Sequence, residues 1–384
     1  MTERRPIRVL VVDDSAVMRK LLSMVLSRDP EIEVVATAMD GVMALQKLVR
    51  FQPDVVTLDL EMPRMDGLDF LRQIVAQSET PVLVVSAHTT RGAAQTVAAL
   101  AMGAVDVVAK PEDALRGGLE AMAQELVAKV RAVAGRRWRR PALRQAPRYP
   151  RLKATDQGIA RRIVAIGVST GGPAALGYLL PRLPPDLGAA VVIVQHMPEG
   201  FTAMLAARLN QACALPVREA RDGERLRQGH VYLAPGGRHL RVASLPEGPA
   251  LVLAAGSPVS WHCPSVDVLF MSVAAEFGPR AVGVLMTGMG DDGAAGLDAI
   301  RHARGKTIAQ DEESSVVFGM PRAAILRGAA EDIQPLDALP DAIVNALGGD
   351  PAGRAREGRR TRGSHAAEVR TGTGGRHEDR AHRR

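Results

Sequence analysis

Several features that mark special classes of protein are scarce or missing in this sequence of 384 residues. Cysteine occurs only at Cys213 and Cys263, which is too few for a disulfide framework and lacks metal-ligand spacing. Aromatic residues make up 3% of the chain. No apolar run reaches the roughly 18 residues of a membrane span, and the first residues lack the apolar region of a signal peptide. We therefore expect a cytoplasmic protein without membrane insertion.

Positive charge is concentrated in two segments. Residues 136–162 carry a net charge of +9 and residues 351–384 carry +6, so the rest of the chain is acidic, at about −8, within a total of +7. Basic segments with little apolar content indicate a solvated linker and tail, although either could also contact an acidic partner or an anionic surface. Since no helix-turn-helix pattern accompanies them, we expect no nucleic-acid partner.

Two series of short β-branched runs alternate with amphipathic stretches, which predicts two α/β domains with mostly parallel sheets. The candidate strands of the first series are Ile7–Val12, Glu33–Thr37, Val55–Leu60, Val82–Ser86 and Val105–Ala109. Those of the second series are Ile163–Val168, Ala190–Gln195, His230–Ala234, Leu251–Ala254, Ala281–Thr287 and Thr307–Ala309. The predicted bounds are 7–125 for the first domain, 126–160 for a basic flexible linker, 161–346 for the second domain and 347–384 for a disordered tail rich in Arg, Gly and His.

Polar residues follow four strands of the first series at the point where each strand ends. They are Asp13 and Asp14, then Asp59, Ser86 and Lys110. Because the carboxyl ends of neighbouring parallel strands meet at one edge of a sheet, we expect these side chains to converge. Three carboxylates would repel one another unless a cation held them, and Mg²⁺ prefers such oxygen ligands. The pattern predicts a Mg²⁺ site where Asp59 accepts a phosphoryl group whose oxygens contact Ser86 and Lys110, although acidic strand ends also serve as helix caps.

The stretch Asp54–Pro63, followed by Met65-Asp66-Gly67, resembles the receiver domain of two-component response regulators. The resemblance covers about residues 7–125 and implies a flavodoxin-like fold and a histidine kinase as phosphodonor to Asp59. It implies metal ligation by Asp13, Asp14, Asp59 and the backbone carbonyl of Glu61. It also implies a cis peptide bond between Lys110 and Pro111. Val107 stands where many receivers place an aromatic ring that reorients on activation.

Ser169 lies in Gly167-Val-Ser-Thr-Gly171, a G-x-S-x-G motif between a predicted strand and a helix-like segment. The glycines permit a sharp turn that exposes the hydroxyl at a helix N-terminus, where backbone N–H groups favour negative charge. A phosphate-binding turn has a similar local pattern, but the spacing matches neither G-x-x-x-x-G-K-[ST] nor G-x-G-x-x-G. The motif favours a serine nucleophile, and a non-catalytic, Rossmann-like binding domain is the alternative.

A serine nucleophile needs a base and a carboxylate that orients it. His196 directly follows the strand after that of Ser169, at the same predicted sheet edge, whereas His230 begins a strand and His239 and His262 lie in turn-rich sequence. The Ala281–Thr287 strand leads into a glycine-rich loop with adjacent aspartates at 291 and 292, which alone would equally fit metal binding or helix capping. Together these placements predict a Ser-His-Asp triad.

Five segments resemble chemotaxis-type protein-glutamate methylesterases, which join a receiver to a catalytic domain. They are Gly167–Pro173, Val194–Met197, Pro264–Phe270, Leu285–Ala294 and Val317–Pro321. The resemblance implies hydrolysis of glutamyl methyl esters on the cytoplasmic helices of methyl-accepting chemoreceptors, with release of methanol, and deamidation of receptor glutamines. It implies that the unphosphorylated receiver covers the catalytic cleft.

The same resemblance assigns roles within the second domain. It makes Ser169 the nucleophile, His196 the base and Asp292 the orienting carboxylate, and it places Thr170 and the Met289 N–H at the oxyanion or substrate. It implies no cofactor at this catalytic site. One departure is Cys263, which stands where the family often has arginine.

Overall fold

A computed structural model of the chain describes residues 5–62, 65–87, 89–111, 118–135 and 158–348. Most of the predicted linker and nearly all of the predicted tail lie outside the described residues, so their bounds stay predictions. Within the described part, no helix combines the length and apolarity that crossing a membrane requires.

The N-terminal domain is built on a parallel five-stranded sheet in the order β2-β1-β3-β4-β5. The strands are β1 Ile7–Val12, β2 Ile32–Ala38, β3 Val55–Leu58, β4 Val82–Ser86 and β5 Asp106–Ala109, and the helices are α1 Ala16–Leu26, α2 Gly41–Phe51, α3 Gly67–Gln77, α4 Thr90–Met102 and α5 Gly118–Val133. Successive strand residues alternate between two apolar clusters, because β side chains point to opposite faces. Helices therefore cover both faces, as the sequence predicted.

Helix α5 extends beyond residue 125, where the sequence prediction ended the first domain. Leu126, Val130 and Val133 recur at helical spacing and are all buried. The helix continues to Val133 because these side chains pack against the sheet, in the same cluster as Val9. Residues 126–133, which were assigned to the linker, are thus helical.

The C-terminal domain has a parallel seven-stranded sheet in the order β14-β13-β12-β6-β7-β9-β8 and a separate two-stranded sheet formed by β10 and β11. Its strands are β6 Ile163–Val168, β7 Ala190–Gln195, β8 Val217–Glu219, β9 Val231–Leu233, β10 His239–Leu245, β11 Gly248–Ala254, β12 Ala281–Leu285, β13 Lys306–Gln310 and β14 Asp332–Gln334. Its helices are α6 Gly172–Leu179, α7 Phe201–Ala212, α8 Val266–Phe277, α9 Ala294–His302, α10 Met320–Leu326 and α11 Leu339–Ala346, with 3₁₀ turns at Leu180–Arg182 and Gly278–Arg280. Mostly parallel α/β architecture is confirmed in both domains.

One predicted strand of the second series belongs to a different sheet. The sequence placed Leu251–Ala254 in the parallel series, but β11 pairs antiparallel with β10. Only two residues separate these strands. A parallel crossover needs a dozen or more residues, so a connection this short forces an antiparallel hairpin.

The two domains contact each other close to Ser169. Helix α4 packs against α6 and α7, and its buried Ala93 and Val97 belong to the same apolar cluster as residues of those helices. The Gly171 N–H donates a hydrogen bond to the Val105 carbonyl, just before β5, at 3.2 Å. The N-terminal domain therefore lies directly over the turn that carries Ser169.

Candidate functional site

The carboxylates predicted at the first sheet edge do converge. The Asp59 N–H donates to the Val12 carbonyl at 2.9 Å, which places Asp59 beside Asp13 on the neighbouring strand end. Oxygen atoms of Asp13, Asp14 and Asp59 lie within 4.8 Å of one another. Burial, with the charge of Asp59 adding to it, raises the pKa of Asp13 despite the opposing charge of Lys110.

Lys110 lies against this acidic cluster. Its Nζ is 2.7 Å from Asp59 Oδ2 and 3.0 Å from Asp13 Oδ2. Burial alone would lower the pKa of Lys110, but the hydrogen bond and the negative charge of Asp59, with a further contribution from Asp13, raise it. Lys110 is therefore a charged ammonium in contact with Asp59 and Asp13.

The donor set suits a cation. Apart from its ion pair with Lys110, the buried Asp13 Oδ2 has no hydrogen-bond partner among the described residues. Three carboxylates at one sheet edge therefore have oxygens that a hard cation would coordinate. The Glu61 N–H donates to Asp59 Oδ1 at 3.3 Å, whereas its carbonyl as a ligand stays a prediction.

Ser86 and Lys110 adjoin each other as the sequence predicted. The Lys110 N–H donates to the Ser86 carbonyl at 2.8 Å, and the Ser86 side chain is buried. The predicted cis bond between Lys110 and Pro111 is wrong, since the described residues have a cis peptide bond at Cys263–Pro264 and not there. The trans form is the intrinsically preferred one even before proline.

Strand register brings Ser169 and His196 together. Val168 on β6 is opposite Gln195 on β7, and the His196 N–H donates to the Val168 carbonyl at 3.1 Å. Ser169 and His196 thus occupy adjacent positions just past two paired strands, about 4.8 Å apart across the sheet. The Ser169 side chain is nearly buried, with 7% of the residue exposed.

Asp292 binds both His196 and the start of α8. His196 Nε2 lies 2.8 Å from Asp292 Oδ2. The carboxylate also accepts hydrogen bonds from the Ser265 hydroxyl and from the N–H groups of Val266 and Asp267, at 2.8, 2.7 and 3.0 Å. Burial alone would raise the pKa of Asp292, but the hydrogen bond and charge of His196 and these backbone donors lower it. Asp292 is therefore an ionised acceptor.

This contact fixes the tautomer of the His196 ring. Because an ionised carboxylate only accepts hydrogen bonds, Nε2 carries the proton and Nδ1 presents its lone pair. His196 Nδ1 is buried and has no hydrogen-bond partner in the described part of the chain. His196 accordingly offers one free basic nitrogen, which makes no hydrogen bond to the Ser169 hydroxyl in this structure.

Three residues that the sequence did not single out hold the backbone of this site. Gln195 Nε2 donates to the carbonyls of both Ser169 and His196 at 3.0 Å. The Thr287 carbonyl accepts from the Ser169 N–H at 2.9 Å. At Gly288 a Cβ would lie 2.7 Å from Ser169 Cβ, so only glycine permits this approach. In the sequence, only their position within the Val194–Met197 and Leu285–Ala294 segments could have indicated that these three residues belong to the site.

Two backbone N–H groups near Ser169 are unused. Those of Thr170 and Met289 donate to no group among the described residues, whereas that of Gly171 is bound to the Val105 carbonyl. Backbone N–H groups without a partner are available to an incoming oxyanion. The family resemblance assigns these same two positions to the oxyanion or substrate, and that role stays a prediction.

His262 also belongs to the site, although its turn-rich surroundings made it a weak candidate. Its ring stacks on that of His196 with centroids 3.7 Å apart and planes 10° from parallel. Burial, with the charge of His196 adding to it, lowers the pKa of His262 to about 4. At neutral pH the His262 ring is uncharged and stacks on the face of the His196 ring. His230 and His239 instead hydrogen-bond the carbonyls of Gln228 and Ser257.

This burial predicts how stability depends on pH. The folded pKa of His262, about 4, lies below its unfolded value of 6.5, so the unfolded chain takes up a proton first as the pH falls. Between pH 7 and 5 the wild type should therefore lose about 1–2 kcal/mol more folding free energy than His262→Gln. Thermal melts of both proteins at the two pH values measure this difference. Equal pH dependence would show that His262 is not held neutral by the fold.

Comparisons with known proteins identify the families of both domains. Residues 164–343 match the family model described as CheB methylesterase, and residues 9–119 match that of the response regulator receiver domain. Protein-glutamate methylesterase/protein-glutamine glutaminase 2 of Koribacter versatilis is 50% identical over 88% of this chain and 96% of its own length. The corresponding enzyme of Symbiobacterium thermophilum is 50% identical over 90% of this chain and 98% of its own. The crystal structure of the Thermotoga maritima CheB methylesterase catalytic domain is 38% identical, with a TM-score of 0.47, over 48% of this chain and 97% of that one.

Proposed function

We propose, since the chain belongs to the CheB family of protein-glutamate methylesterases/protein-glutamine glutaminases, that it hydrolyses glutamyl methyl esters on the cytoplasmic helices of chemoreceptors under control of its receiver domain. Each turnover consumes water, releases methanol and restores a glutamate carboxylate. The observation that carries the proposal is the hydrogen bond between His196 Nε2 and Asp292, because it leaves Nδ1 free as a base on the strand end next to that of Ser169.

The first half of the reaction is acyl transfer to Ser169. His196 Nδ1 removes the hydroxyl proton while Oγ bonds to the ester carbonyl carbon, and Asp292 stabilises the imidazolium that forms. The N–H groups of Thr170 and Met289 donate to the oxyanion, and each such donor is typically worth about 3 kcal/mol. As the C–O bond breaks, the proton on Nδ1 passes to the departing methoxide, which leaves as methanol.

The second half returns the enzyme to its starting state. His196 Nδ1 takes a proton from water as the water oxygen attacks the acyl carbon, and it passes that proton to Ser169 Oγ as the bond between Oγ and the acyl carbon breaks. The same residues would deamidate a receptor glutamine, since His196 would then protonate the departing amide nitrogen, which leaves as ammonia, in place of methoxide. Neither half requires a cofactor in the catalytic domain.

The receiver site carries the regulatory chemistry. The Asp59 carboxylate forms a bond to phosphorus as the P–N bond of a phosphohistidine on the kinase breaks. Mg²⁺ held by Asp13, Asp14, Asp59 and the Glu61 carbonyl would neutralise the charge of the phosphoryl oxygens. Lys110 and Ser86 then contact those oxygens, and the present ion pair between Lys110 and Asp59 has to rearrange.

Strand β5 links this rearrangement to the catalytic domain. Lys110 directly follows β5, and Val105 directly precedes it. The Val105 carbonyl accepts the hydrogen bond from the N–H of Gly171, which is two residues from Ser169 in the sequence. A displacement of Lys110 therefore acts on the strand that touches the catalytic turn. Phosphorylation would favour an open arrangement in which receptor helices reach Ser169. Receptor helices on the cytoplasmic side and a histidine kinase also imply a cytoplasmic location.

Product analysis tests the proposed activity directly. Receptor-bearing membranes with radiolabelled methyl esters should release labelled methanol when the wild-type chain is added, and unmethylated membranes with glutamine at the same positions should release ammonia. Membranes without receptor are the control. Binding to receptors without either product would instead support a non-catalytic output domain.

A further inference from the structure

Trp261 is an apolar side chain that the proposed chemistry does not use. It is 95% exposed, the highest value among the exposed large apolar residues of the described chain, and neighbouring Val259 is 40% exposed. Tryptophan is also rare here, occurring only twice in the sequence. Single exposed apolar residues are ordinary on protein surfaces, so exposure alone indicates nothing. What distinguishes Trp261 is where and how the chain presents it.

Trp261 is connected to the catalytic histidine, His196, through the residue that follows it. It directly precedes His262, whose ring stacks at 3.7 Å on that of His196. Consecutive Cα atoms are about 3.8 Å apart, so the exposed indole begins at the rim of the site. The overlying N-terminal domain leaves this side chain uncovered, as its 95% exposure shows.

A tight turn holds the indole in place. Val259 and His262 exchange two backbone hydrogen bonds of 3.0 and 2.9 Å, and the two residues between them, Ser260 and Trp261, have φ values of 49° and 67°. Positive φ at both central residues is the pattern of a two-residue hairpin turn, which normally favours glycine or asparagine. A bulky side chain there is strained, and such strain persists only where the surrounding structure imposes it.

Hydrogen bonds hold the chain on both sides of this turn. His239 Nε2 donates to the Ser257 carbonyl at 3.0 Å, and its Nδ1 accepts from the Ser265 N–H at 3.2 Å. The Gly237 N–H donates to the Cys263 carbonyl at 3.1 Å. These bonds fix the turn before any partner arrives, and a contact that is already ordered loses less entropy on binding.

We propose that Trp261 and Val259 form a docking contact for the receptor helix whose glutamyl ester enters the site. The inference rests on the proposed function, because a macromolecular substrate is what requires contacts outside the cleft. A methyl ester side chain is small, so the affinity and register of its helix must come from neighbouring surface. Buried tryptophan is among the strongest single contributors to such interfaces. Since the indole is exposed while the domains are in contact, docking at this point needs no prior opening.

Steady-state kinetics on methylated receptor membranes test the proposal. Trp261→Ala should raise KM about tenfold or more while kcat stays within about twofold, and Trp261→Phe should recover part of the loss. Leu326→Ala removes another exposed apolar side chain, 74% exposed, at the end of α10, and is the matched control. A Trp261→Ala variant with the wild-type KM would overturn the proposal, provided that the wild type itself releases methanol. A wild type that releases none would instead refute the proposed function.

Fluorescence gives a second test that does not depend on the folding of Trp261→Ala. Trp138→Phe in the full chain leaves Trp261 as the sole tryptophan. Receptor membranes should shift its emission to shorter wavelength over the concentration range that saturates methanol release. No shift, or an equal shift with receptor-free vesicles of the same lipids, would contradict receptor docking. A shift that instead follows the enzyme's own concentration would assign the contact to a second copy of the chain.

Discussion

Ser169→Ala should lower methanol release from methylated receptors by about 10⁵–10⁶-fold. The variant keeps the fold but lacks the oxygen that would bond to the ester carbon. Removing the nucleophile of a triad costs about as much as removing the whole triad, because the other two members have nothing left to activate. The variant would still be about 10³–10⁴-fold faster than the uncatalysed reaction, because the oxyanion donors and substrate binding remain.

Ser244→Ala is the matched control for this variant. Ser244 lies on β10 of the same domain, is exposed and hydrogen-bonds Glu276 rather than any catalytic group. Its substitution should leave methanol release at the wild-type rate. A Ser169→Ala variant within tenfold of wild type, with Ser244→Ala unchanged, would mean that another group attacks the ester.

Asp292→Asn should lower kcat by about 10⁴-fold. The side chain keeps its shape but loses the charge that holds the proton on His196 Nε2. An amide nitrogen facing Nε2 donates a hydrogen bond, which would favour the tautomer with the proton on Nδ1 and so occupy the base. The rate falls because His196 can then no longer accept the Ser169 proton.

Asp291→Asn supplies the comparison for Asp292→Asn. Asp291 is the adjacent residue and is exposed, whereas Asp292 is 1% exposed and accepts four hydrogen bonds. Asp291→Asn should retain most activity. Thermal melts should accompany both assays, because Asp292→Asn also leaves donors at the start of α8 unsatisfied. If the two variants lose activity equally, Asp292 does not orient His196.

Much of both sites could be predicted from strand ends alone. In a parallel sheet, residues just past neighbouring strands meet at one edge, so Asp13 with Asp59, and Ser169 with His196, follow from the order of apolar runs. The family resemblance, and not strand order, favoured Asp292 over the adjacent Asp291, and the hydrogen bond between Asp292 and His196 agrees with that choice. The roles of these residues stay predictions until the variants are assayed.

Contacts made by turns could not be predicted in the same way. His262 stacks on His196 through an irregular segment with no apolar period, so no pattern marks the approach. The φ values of Ser260 and Trp261 contradict local preference and are set by the bonds around them. The first domain was ended at residue 125 because the receiver resemblance extends about that far, although Leu126, Val130 and Val133 continue the helical spacing of α5.

The central claim is that a phosphoryl group on Asp59 controls hydrolysis at Ser169. The most direct measurement is the rate of methanol release by wild type and Asp59→Asn, each with and without a small acyl-phosphate donor and Mg²⁺. We expect the donor to raise the wild-type rate about tenfold or more, which requires only ~1.4 kcal/mol of the ~5 kcal/mol that a complete shift from closed to open would need. Asp59→Asn should show the same rate with and without the donor. A wild type that ignores the donor, or an Asp59→Asn variant that responds equally well, would contradict the account.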